Sequence, residues 1–243
     1  MQATKQEFVK RVEEINQYFS LLEKIENDFR LLLKNQEESY TINEELFKVL
    51  KANGFILLYN LIESTVLNSV ITIFDELREK GLSYDRISEK LRKYWLKYCY
   101  KHDDKIKSAT VINQLFLITE NIIKQLPIDI EIQKIDGAGS LDTGKIKKVA
   151  EELGVELHLP RFNKNLHGEA FQRIKKYRND LAHGKSTFSD IGRDITYTGD
   201  KADGLKGLGL IHFKQYTIEH LEDFISDIET YLSEKRYLET YAV

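Results

Sequence analysis

Hydrophobic residues recur every three or four positions along most of this chain, which is the period of one face of an α-helix. The spacing predicts about six or seven main helices, together with shorter ones, over about Lys5–Asn35, Asn43–Ala52, Gly54–Lys80, Ser83–His102, Ser108–Gln125, Gly144–Leu153, Glu169–Ala182 and Thr217–Leu238. Only two prolines interrupt the sequence, and proline is the residue that most strongly breaks helix interiors. The pattern therefore predicts an all-α helical bundle.

Two stretches depart from the helical period. The segment Ile128–Ile135 alternates apolar and polar residues and predicts a short strand or extended segment. Asp142 or Thr143 then caps a short helix. The second stretch, Gly184–Gly209, is rich in Gly, Ser, Thr and Asp and is predicted to be a long functional or mobile loop.

The chain is long enough for one large domain with a substantial core. We expect a single domain over residues 1–243. Residues 1–53 supply N-terminal helices, residues 54–126 and 169–238 form the core bundle, and residues 127–168 form an irregular insertion with a short helix.

Composition limits the kinds of cysteine site and the cellular compartment that we expect for the protein. The single cysteine, Cys99, excludes an intramolecular disulfide and a cysteine-rich zinc site. No signal-peptide core and no apolar run of about 20 residues stands out. We expect a cytoplasmic protein with no membrane partner.

Charge is unevenly distributed, although the net charge is only −3. Between Phe171 and Lys185 the basic residues outnumber the single acid, Asp180. Such a local patch can hold phosphates in a protein that is not basic overall. The side chains expected to do so are Arg173, Lys175, Lys176 and Lys185.

This patch contains the run Arg178-Asn179-Asp180-Leu181-Ala182-His183. On a helix, Arg178 and His183 lie about 140° apart around the axis and about 7.5 Å apart along it, so they can flank a groove at the helix end. Asn179 and His183 share a face. Gly184 is well placed to end the helix.

These residue types suit metal-independent RNA cleavage, in which the ribose 2′-hydroxyl is the nucleophile. His183 can move a proton near neutral pH, and Arg178 can stabilise the negative charge of the phosphorane. Asn179 can orient the imidazole or donate a hydrogen bond to a phosphate oxygen. No cofactor is required for this route.

Polar residues near the motif have two interpretations. Tyr59, Asn60 and Glu63 lie in an apolar helix, where buried polar groups must be hydrogen-bonded. In the first, Glu63 supports Arg178 or His183 without itself touching the substrate. In the second, Glu63 belongs to a purely structural network. Asp180 is more readily a structural or solvated acid than a catalytic one.

Other candidate sites are weaker. Basic and aromatic residues alternate between Leu91 and His102, as in single-strand binders, but the helical spacing of Leu91, Trp95 and Tyr98 favours core packing. His102, Asp103 and Asp104 are adjacent and diverge on a helix or turn, which disfavours a metal site.

The motif resembles the Arg-polar-x-x-x-His signature of the HEPN superfamily. Three segments are similar to a bacterial branch of HEPN-like nucleases of the MAE type. They are Leu57–Thr65, Gly139–Ile146, and Arg178–Gly184 with the residues that follow it up to Arg193. The similarity covers about Gly54–Leu232. In-order agreement of several segments is more specific than the motif alone.

The resemblance implies an α-helical endoribonuclease that cuts single-stranded RNA at a site shared by two copies in a homodimer. It also implies a role in phage defence or a toxin–antitoxin system, with an antitoxin or defence protein as partner. One branch carries a tyrosine two residues after the histidine, where nucleotidyl transfer silences the enzyme. Lys185 stands there in this chain, so that form of control is doubtful.

Other functions remain open at this point. The same cationic groove can hold RNA or a nucleotide without cleaving it, or the protein can act as an interaction module of a defence complex. Arg178 and His183 can also simply cap carbonyls and pair with carboxylates. A metal-dependent DNase is less favoured because the sequence has no evident carboxylate cluster.

Overall fold

A computed structural model describes residues 1–28, 30–32, 39–99, 108–130, 141–199 and 207–239 of the chain. Within these ranges the chain forms α-helices and one short ribbon of strands. The helices are α1 (Gln2–Asn27), α2 (Glu44–Glu79), α3 (Glu89–Cys99), α4 (Ser108–Ile123), α5 (Thr143–Leu153), α6 (Lys164–Ala182), α7 (Phe188–Arg193) and α8 (Leu210–Ser233). The prediction of an all-α fold is confirmed.

The first helix is shorter than predicted. It ends at Asn27, and Asp28 adopts an extended backbone with φ −151°. The chain then forms β1 (Arg30–Leu32), which pairs antiparallel with β2 (Ser39–Thr41) so that Arg30 lies opposite Thr41. The predicted continuation of the helix beyond Asn27 is therefore wrong, because the backbone groups of Arg30–Leu32 are paired with those of Ser39–Thr41.

Helix α2 joins two helices that the sequence predicted to be separate. The predicted cap is confirmed, since the Leu46 N–H donates to Asn43 Oδ1 at 2.8 Å. Gly54 lies inside the 36-residue helix, where a Cβ atom would be 3.1 Å from Leu210 Cδ2. The glycine therefore lets α8 approach α2 closely and does not end the helix. The predicted boundary between residues 53 and 54 falls inside α2.

Helix α2 is the centre of the bundle and packs against α1, α6, α7 and α8. By length and composition alone it could cross a membrane, with a mean hydropathy of 1.5 over 18 residues. Half of that window is buried within the protein, as expected for the core helix that the sequence predicted. Core helices bury apolar residues nearly all round.

The segment after α2 contains a short 3-10 turn, Tyr84–Arg86, before α3 begins at Glu89. The prediction of one helix from Ser83 is wrong because Ile87 is extended and pairs with Leu238. The core assignment on this helix is confirmed, since Leu91, Trp95 and Tyr98 are all buried.

The extended segment predicted before α5 falls mostly outside the described residues. Residues 128–130 have no regular secondary structure, and the Ile128 N–H donates to the Leu82 carbonyl. Helix α5 follows as predicted. Asp142 Oδ1 accepts the Lys145 N–H at 2.9 Å, and Gly154 ends the helix with φ +86°.

The predicted long loop after Gly184 contains helix α7. Thr187 and Asp190 form a reciprocal capping box, in which the Asp190 N–H donates to Thr187 Oγ1 and the Thr187 N–H donates to Asp190 Oδ2. Lys51 Nζ donates to the Ile195 carbonyl at 2.6 Å. The loop prediction is wrong for Phe188–Arg193, because this local capping signal and the packing of α7 on α2 outweigh the polar composition there. Residues 200–206 of the predicted loop lie outside the described residues.

Helices α6 and α8 both begin earlier than predicted. Asn163 accepts hydrogen bonds from the N–H groups of Asn165 and Leu166, so α6 starts at Lys164 and includes Gly168. Helix α8 starts at Leu210, just after Gly209. A side-chain cap decides the start of α6, and the apolar period alone could not locate it.

Two buried histidines lie where α6 packs against α8. His167 on α6 and His220 on α8 are each 2% exposed, and their ring centroids are 6.3 Å apart. Aromatic rings of Phe162 and Phe171 contact His220. Burial lowers the pKa of His220 to about 4, a shift that the charge of His167 increases and that of Asp223 opposes. Both nitrogens of His220 lack a hydrogen-bond partner among the residues that the structure describes.

Substitution of Gly192 by alanine should destabilise the protein. A Cβ atom there would be 1.9 Å from the Lys48 carbonyl oxygen, so α7 must move away from α2. We expect the free energy of unfolding in urea to fall by about 2 kcal/mol or more. Gly168→Ala is the control, because its Cβ meets open space inside α6, and it should raise stability by roughly 0.5–1 kcal/mol. Equal effects of the two substitutions would contradict the packing of α7.

The buried His220 should make stability depend on pH. Its folded pKa lies below the unfolded value, so the unfolded chain binds more protons between about pH 6.5 and 4. The free energy of unfolding should therefore fall as the pH drops through this window, by roughly 3 kcal/mol from this group. Urea titrations of His220→Leu should show a correspondingly smaller loss. A loss as large as in the unaltered protein would exclude His220 as the cause.

Candidate active site

The motif lies at the carboxyl end of α6, where the backbone closes a Schellman turn. The Lys185 N–H donates to the Asp180 carbonyl at 2.8 Å, and the Gly184 N–H donates to the Leu181 carbonyl at 3.2 Å. Gly184 has φ +65°, the left-handed conformation that favours glycine. The predicted end of the helix is confirmed. The turn places His183 at the C-cap, with an exposed side chain.

Arg178 lies one turn earlier and is held against the bundle. Its guanidinium carbon is 4.6 Å from the centroid of the Tyr59 ring, which comes from α2. Its Nη1 donates to Asn179 Oδ1 at 3.1 Å. The guanidinium is therefore held between the Tyr59 ring and the amide oxygen of Asn179. With the Asn179 oxygen bound to Arg178, the amide nitrogen of Asn179 is the group that remains to donate.

Tyr59 is the support of this arrangement. Its side chain is fully buried, and its hydroxyl accepts the Leu141 N–H at 3.3 Å. Burial raises the pKa of the Tyr59 hydroxyl, as does the charge of Glu63, whereas the Leu141 hydrogen bond and Arg178 lower it. Tyr59 thus joins α2, α6 and the start of the α5 region.

The other two predicted supporting residues on α2 differ in position. Glu63 is half-buried and lies near enough to Tyr59 for its charge to act on the hydroxyl. Asn60 is exposed, so it lies outside any buried network, and its supporting role stays a prediction. It lies one residue beyond Tyr59 on α2, and successive helix positions turn by about 100°.

The predicted phosphate-binding side chains fall into two groups. Arg173 pairs with Glu169 at 2.5 Å, and Lys175 pairs with Asp142 at 2.8 Å. The charges of Arg173 and Lys175 are therefore already neutralised by carboxylates of the same chain. Lys176 and Lys185 have exposed side chains and are the better placed to meet a ligand.

Asp142 has, besides its predicted place as a helix cap, a second role that the sequence did not predict. It caps α5 and also binds Lys175, so it ties the insertion to the motif helix. Burial acts to raise the pKa of this carboxyl, but Lys175 and the backbone N–H groups of Lys145 and Gly144 bring it below its ordinary value. The two residues are far apart in sequence, and no local pattern indicates their contact.

The side chains of Arg178 and His183 are not joined to each other in the described part of one copy. Within the described ranges no hydrogen bond joins their side chains, and the His183 ring has no polar partner there. Asp180 is half-buried and contributes its backbone carbonyl to the turn. The arrangement provides a fixed guanidinium and a separate, accessible imidazole at the same helix end.

Among the residues that the structure describes, no group of three His, Cys, Asp or Glu side chains could hold a metal ion. His102, Asp103 and Asp104, which the sequence disfavoured as a metal site, lie outside the described residues.

Comparison with known protein families places nearly the whole chain in one family. The family model described as MAE_28990-like HEPN matches residues 2–237, nearly the whole chain. Neither the curated proteins nor the solved structures contain a match to the chain.

The stacking of Arg178 on Tyr59 can be measured by a double-mutant cycle. We expect Tyr59→Leu and Arg178→Ala to show a coupling of about 1 kcal/mol in urea unfolding, because each removes one side of the same contact. Tyr59→Phe is the matched control, since it keeps the ring and should retain the coupling. Additive effects of Tyr59→Leu and Arg178→Ala would show that the two side chains do not interact.

Proposed function

This chain belongs to the HEPN superfamily, in its MAE_28990-like family, and from that membership we propose that it is an endoribonuclease. It cuts single-stranded RNA without a metal ion, and its Arg178–His183 site is completed by a second copy in a homodimer. The observation that carries this proposal is the fixed guanidinium of Arg178 on Tyr59, at the helix end that also bears His183.

A fixed guanidinium suits the transition state of RNA cleavage. As the 2′-hydroxyl attacks the phosphorus, negative charge builds up on the non-bridging oxygens. A donor that is already oriented stabilises this charge without reorganising during the reaction. The Tyr59 ring and Asn179 together orient Arg178 in this way. Two parallel N–H donors can then meet two phosphate oxygens.

His183 is the proton carrier in this proposal. Imidazole accepts and releases protons near neutral pH, as removal of the 2′-hydroxyl proton and protonation of the leaving oxygen require. The exposed ring at the helix end is accessible to an RNA chain. A general base is usually oriented by another group. The second copy of the motif helix supplies the facing groups.

The remaining basic residues have two different roles in this proposal. Lys176 and Lys185 are exposed and are assigned to neighbouring phosphates. Arg173 and Lys175 pair with acids of the same chain and are assigned to positioning. This revises the expectation that all four bind substrate. Asn179 donates to a phosphate oxygen through its amide nitrogen.

We place the enzyme in a cytoplasmic phage-defence or toxin–antitoxin system, as its superfamily membership suggests. Its partners are then RNA, a second copy and an antitoxin or defence protein. Lys185 stands where a silenced branch has its modified tyrosine, so control through that modification is not part of the proposal.

A second candidate function is RNA or nucleotide binding without cleavage, in a defence complex. It is favoured by the His183 ring, which has no orienting partner among the described residues of one copy. The same groove would then hold an RNA end or nucleotide through Arg178 and the exposed lysines. Cleavage assays separate the two functions.

His183→Ala and Arg178→Ala should each lower the rate of RNA cleavage by about 100-fold or more, because each removes a group needed in the transition state. The assay uses end-labelled single-stranded RNA in excess chelator, with product ends analysed. We expect 2′,3′-cyclic phosphate ends. Circular dichroism should show an intact fold in both variants.

Arg173→Ala is the matched control, because that side chain is balanced by Glu169, and it should retain most of the activity. Cleavage that survives both motif substitutions would contradict the site. Products with 5′-phosphate ends would contradict the 2′-hydroxyl route. Tight RNA binding with no cleavage by the unaltered protein would favour the second function.

A further inference from the structure

The place of Arg178 on the Tyr59 ring depends on contacts beyond these two side chains. A cation over an aromatic ring is attracted to the whole face, which leaves it free to slide along that face. The ring itself has a broad χ2 well in which it can turn. A defined position of the guanidinium therefore requires that both the ring and the motif helix be held by other parts of the protein.

Two adjacent residues at the N-terminus of α5 hold the two sides of this contact. The Leu141 N–H donates to the Tyr59 hydroxyl at 3.3 Å. The hydroxyl is the end of the ring farthest from the α2 backbone, so this bond limits the movement of the ring. Asp142 Oδ2 accepts a hydrogen bond from Lys175 Nζ at 2.8 Å. Lys175 lies three residues before Arg178 on α6, a rise of about 4.5 Å along the helix axis.

The Asp142 carboxylate is held more firmly than a carboxylate at the open surface. Its other oxygen, Oδ1, accepts the Lys145 N–H at 2.9 Å as part of the α5 cap. The side chains of Asp142 and Lys175 are only 26% and 27% exposed. Salt screens such a half-buried pair less than it screens a fully exposed one. The ion pair therefore joins α5 to α6 through an oriented group.

Helix α5 is in turn attached to the rest of the bundle. At its carboxyl end the Leu153 carbonyl accepts a hydrogen bond from the Tyr231 hydroxyl of α8 at 2.9 Å. Lys97 of α3 pairs with Glu152 at 2.8 Å. The buried side chains of the helix are Ile146, Val149, Ala150 and Leu153. With its other face and far end held in this way, α5 is a stable support for contacts made at its N-terminus.

We propose that Asp142 is a positioning residue of the candidate site and that it acts on Arg178 through Lys175. The Leu141 N–H acts from the other side, through the Tyr59 ring. Burial raises the pKa of the Tyr59 hydroxyl, whereas the charges of Arg178 and Lys175 lower it, so the three groups lie close together. One short segment before α5 thus sets both partners of the stacked pair.

The effect on cleavage rests on the proposed function, whereas the effect on the stacked pair does not. If Arg178 stabilises the phosphorane, its displacement is felt mainly in the transition state, which lowers kcat and leaves KM nearly unchanged. A phosphate contact made by Lys175 itself would instead be lost from the bound substrate as well and would raise KM. The ratio of the two kinetic effects therefore separates positioning from substrate binding.

The first experiment needs no RNA and measures the stacked pair directly. The coupling between Tyr59→Leu and Arg178→Ala in urea unfolding is determined again in an Asp142→Asn background and in a Lys175→Met background. Asparagine caps a helix about as well as aspartate but lacks the negative charge, so the α5 cap is kept and the ion pair is lost. The coupling should fall by at least half in both backgrounds.

Glu152→Gln is the matched control for this measurement. It breaks an ion pair of equal length on the same helix, the one with Lys97, and it lies at the end of α5 away from the motif. The coupling should be unchanged in that background. A coupling that is absent in the unaltered protein, unchanged by either Asp142→Asn or Lys175→Met, or equally reduced by Glu152→Gln would overturn the proposal.

The second experiment measures kcat and KM for cleavage of single-stranded RNA. Asp142→Asn and Lys175→Met should each lower kcat about 10-fold with KM nearly unchanged, because a small displacement of a catalytic group is costly. The double variant should also lose about 10-fold rather than about 100-fold, since both substitutions break one ion pair. Multiplied losses, or a raised KM with an unaltered kcat, would contradict a positioning role.

The two experiments let this inference and the proposed function fail separately. A coupling that depends on Asp142, in a protein that does not cleave RNA, supports the positioning role and contradicts the nuclease. Cleavage that depends on Arg178 and His183, with a coupling that is independent of Asp142, supports the nuclease and contradicts the positioning role.

Discussion

The contact between Arg178 and Tyr59 is the interaction on which the candidate site depends. Tyr59 comes from the central helix α2, Arg178 from the motif helix α6, and the Tyr59 hydroxyl accepts the backbone N–H of Leu141 just before α5. Three parts of the chain thus meet at one ring. A guanidinium needs a defined plane to meet a phosphate, and a buried ring is a rigid support for that plane. The Lys175–Asp142 ion pair joins two of these parts, α6 and the start of α5, a short distance along α6.

Local patterns predicted most of the helices and the motif but not what surrounds the motif. Asn43, Asp142 and Gly184 were recognised as helix ends because caps act within three residues. Gly54 was misinterpreted as a helix boundary because its role, close approach of Leu210, involves a distant residue. Helix α7 was missed although Thr187 and Asp190 have the spacing of a capping box. The contacts of Tyr59 with Arg178 and of Asp142 with Lys175 depend on tertiary packing, and no sequence period encodes them.

The motif places a demand on a second copy. At the end of α6, one copy offers a cation held against Tyr59 and an imidazole with no orienting group among the described residues. An unoriented base is a poor catalyst. The proposed homodimer supplies the facing group from the motif helix of the second copy.

The central claim, that two copies build one active site, can be tested by complementation. Arg178→Ala and His183→Ala chains are co-expressed so that mixed dimers form, and RNA cleavage in chelator is compared with that of each variant alone. Because each copy then supplies the group that the other lacks, we predict that the mixture regains measurable activity. Arg178→Ala co-expressed with the Arg178→Ala/His183→Ala double variant should stay inactive. A mixture no more active than its separate components would contradict a shared site.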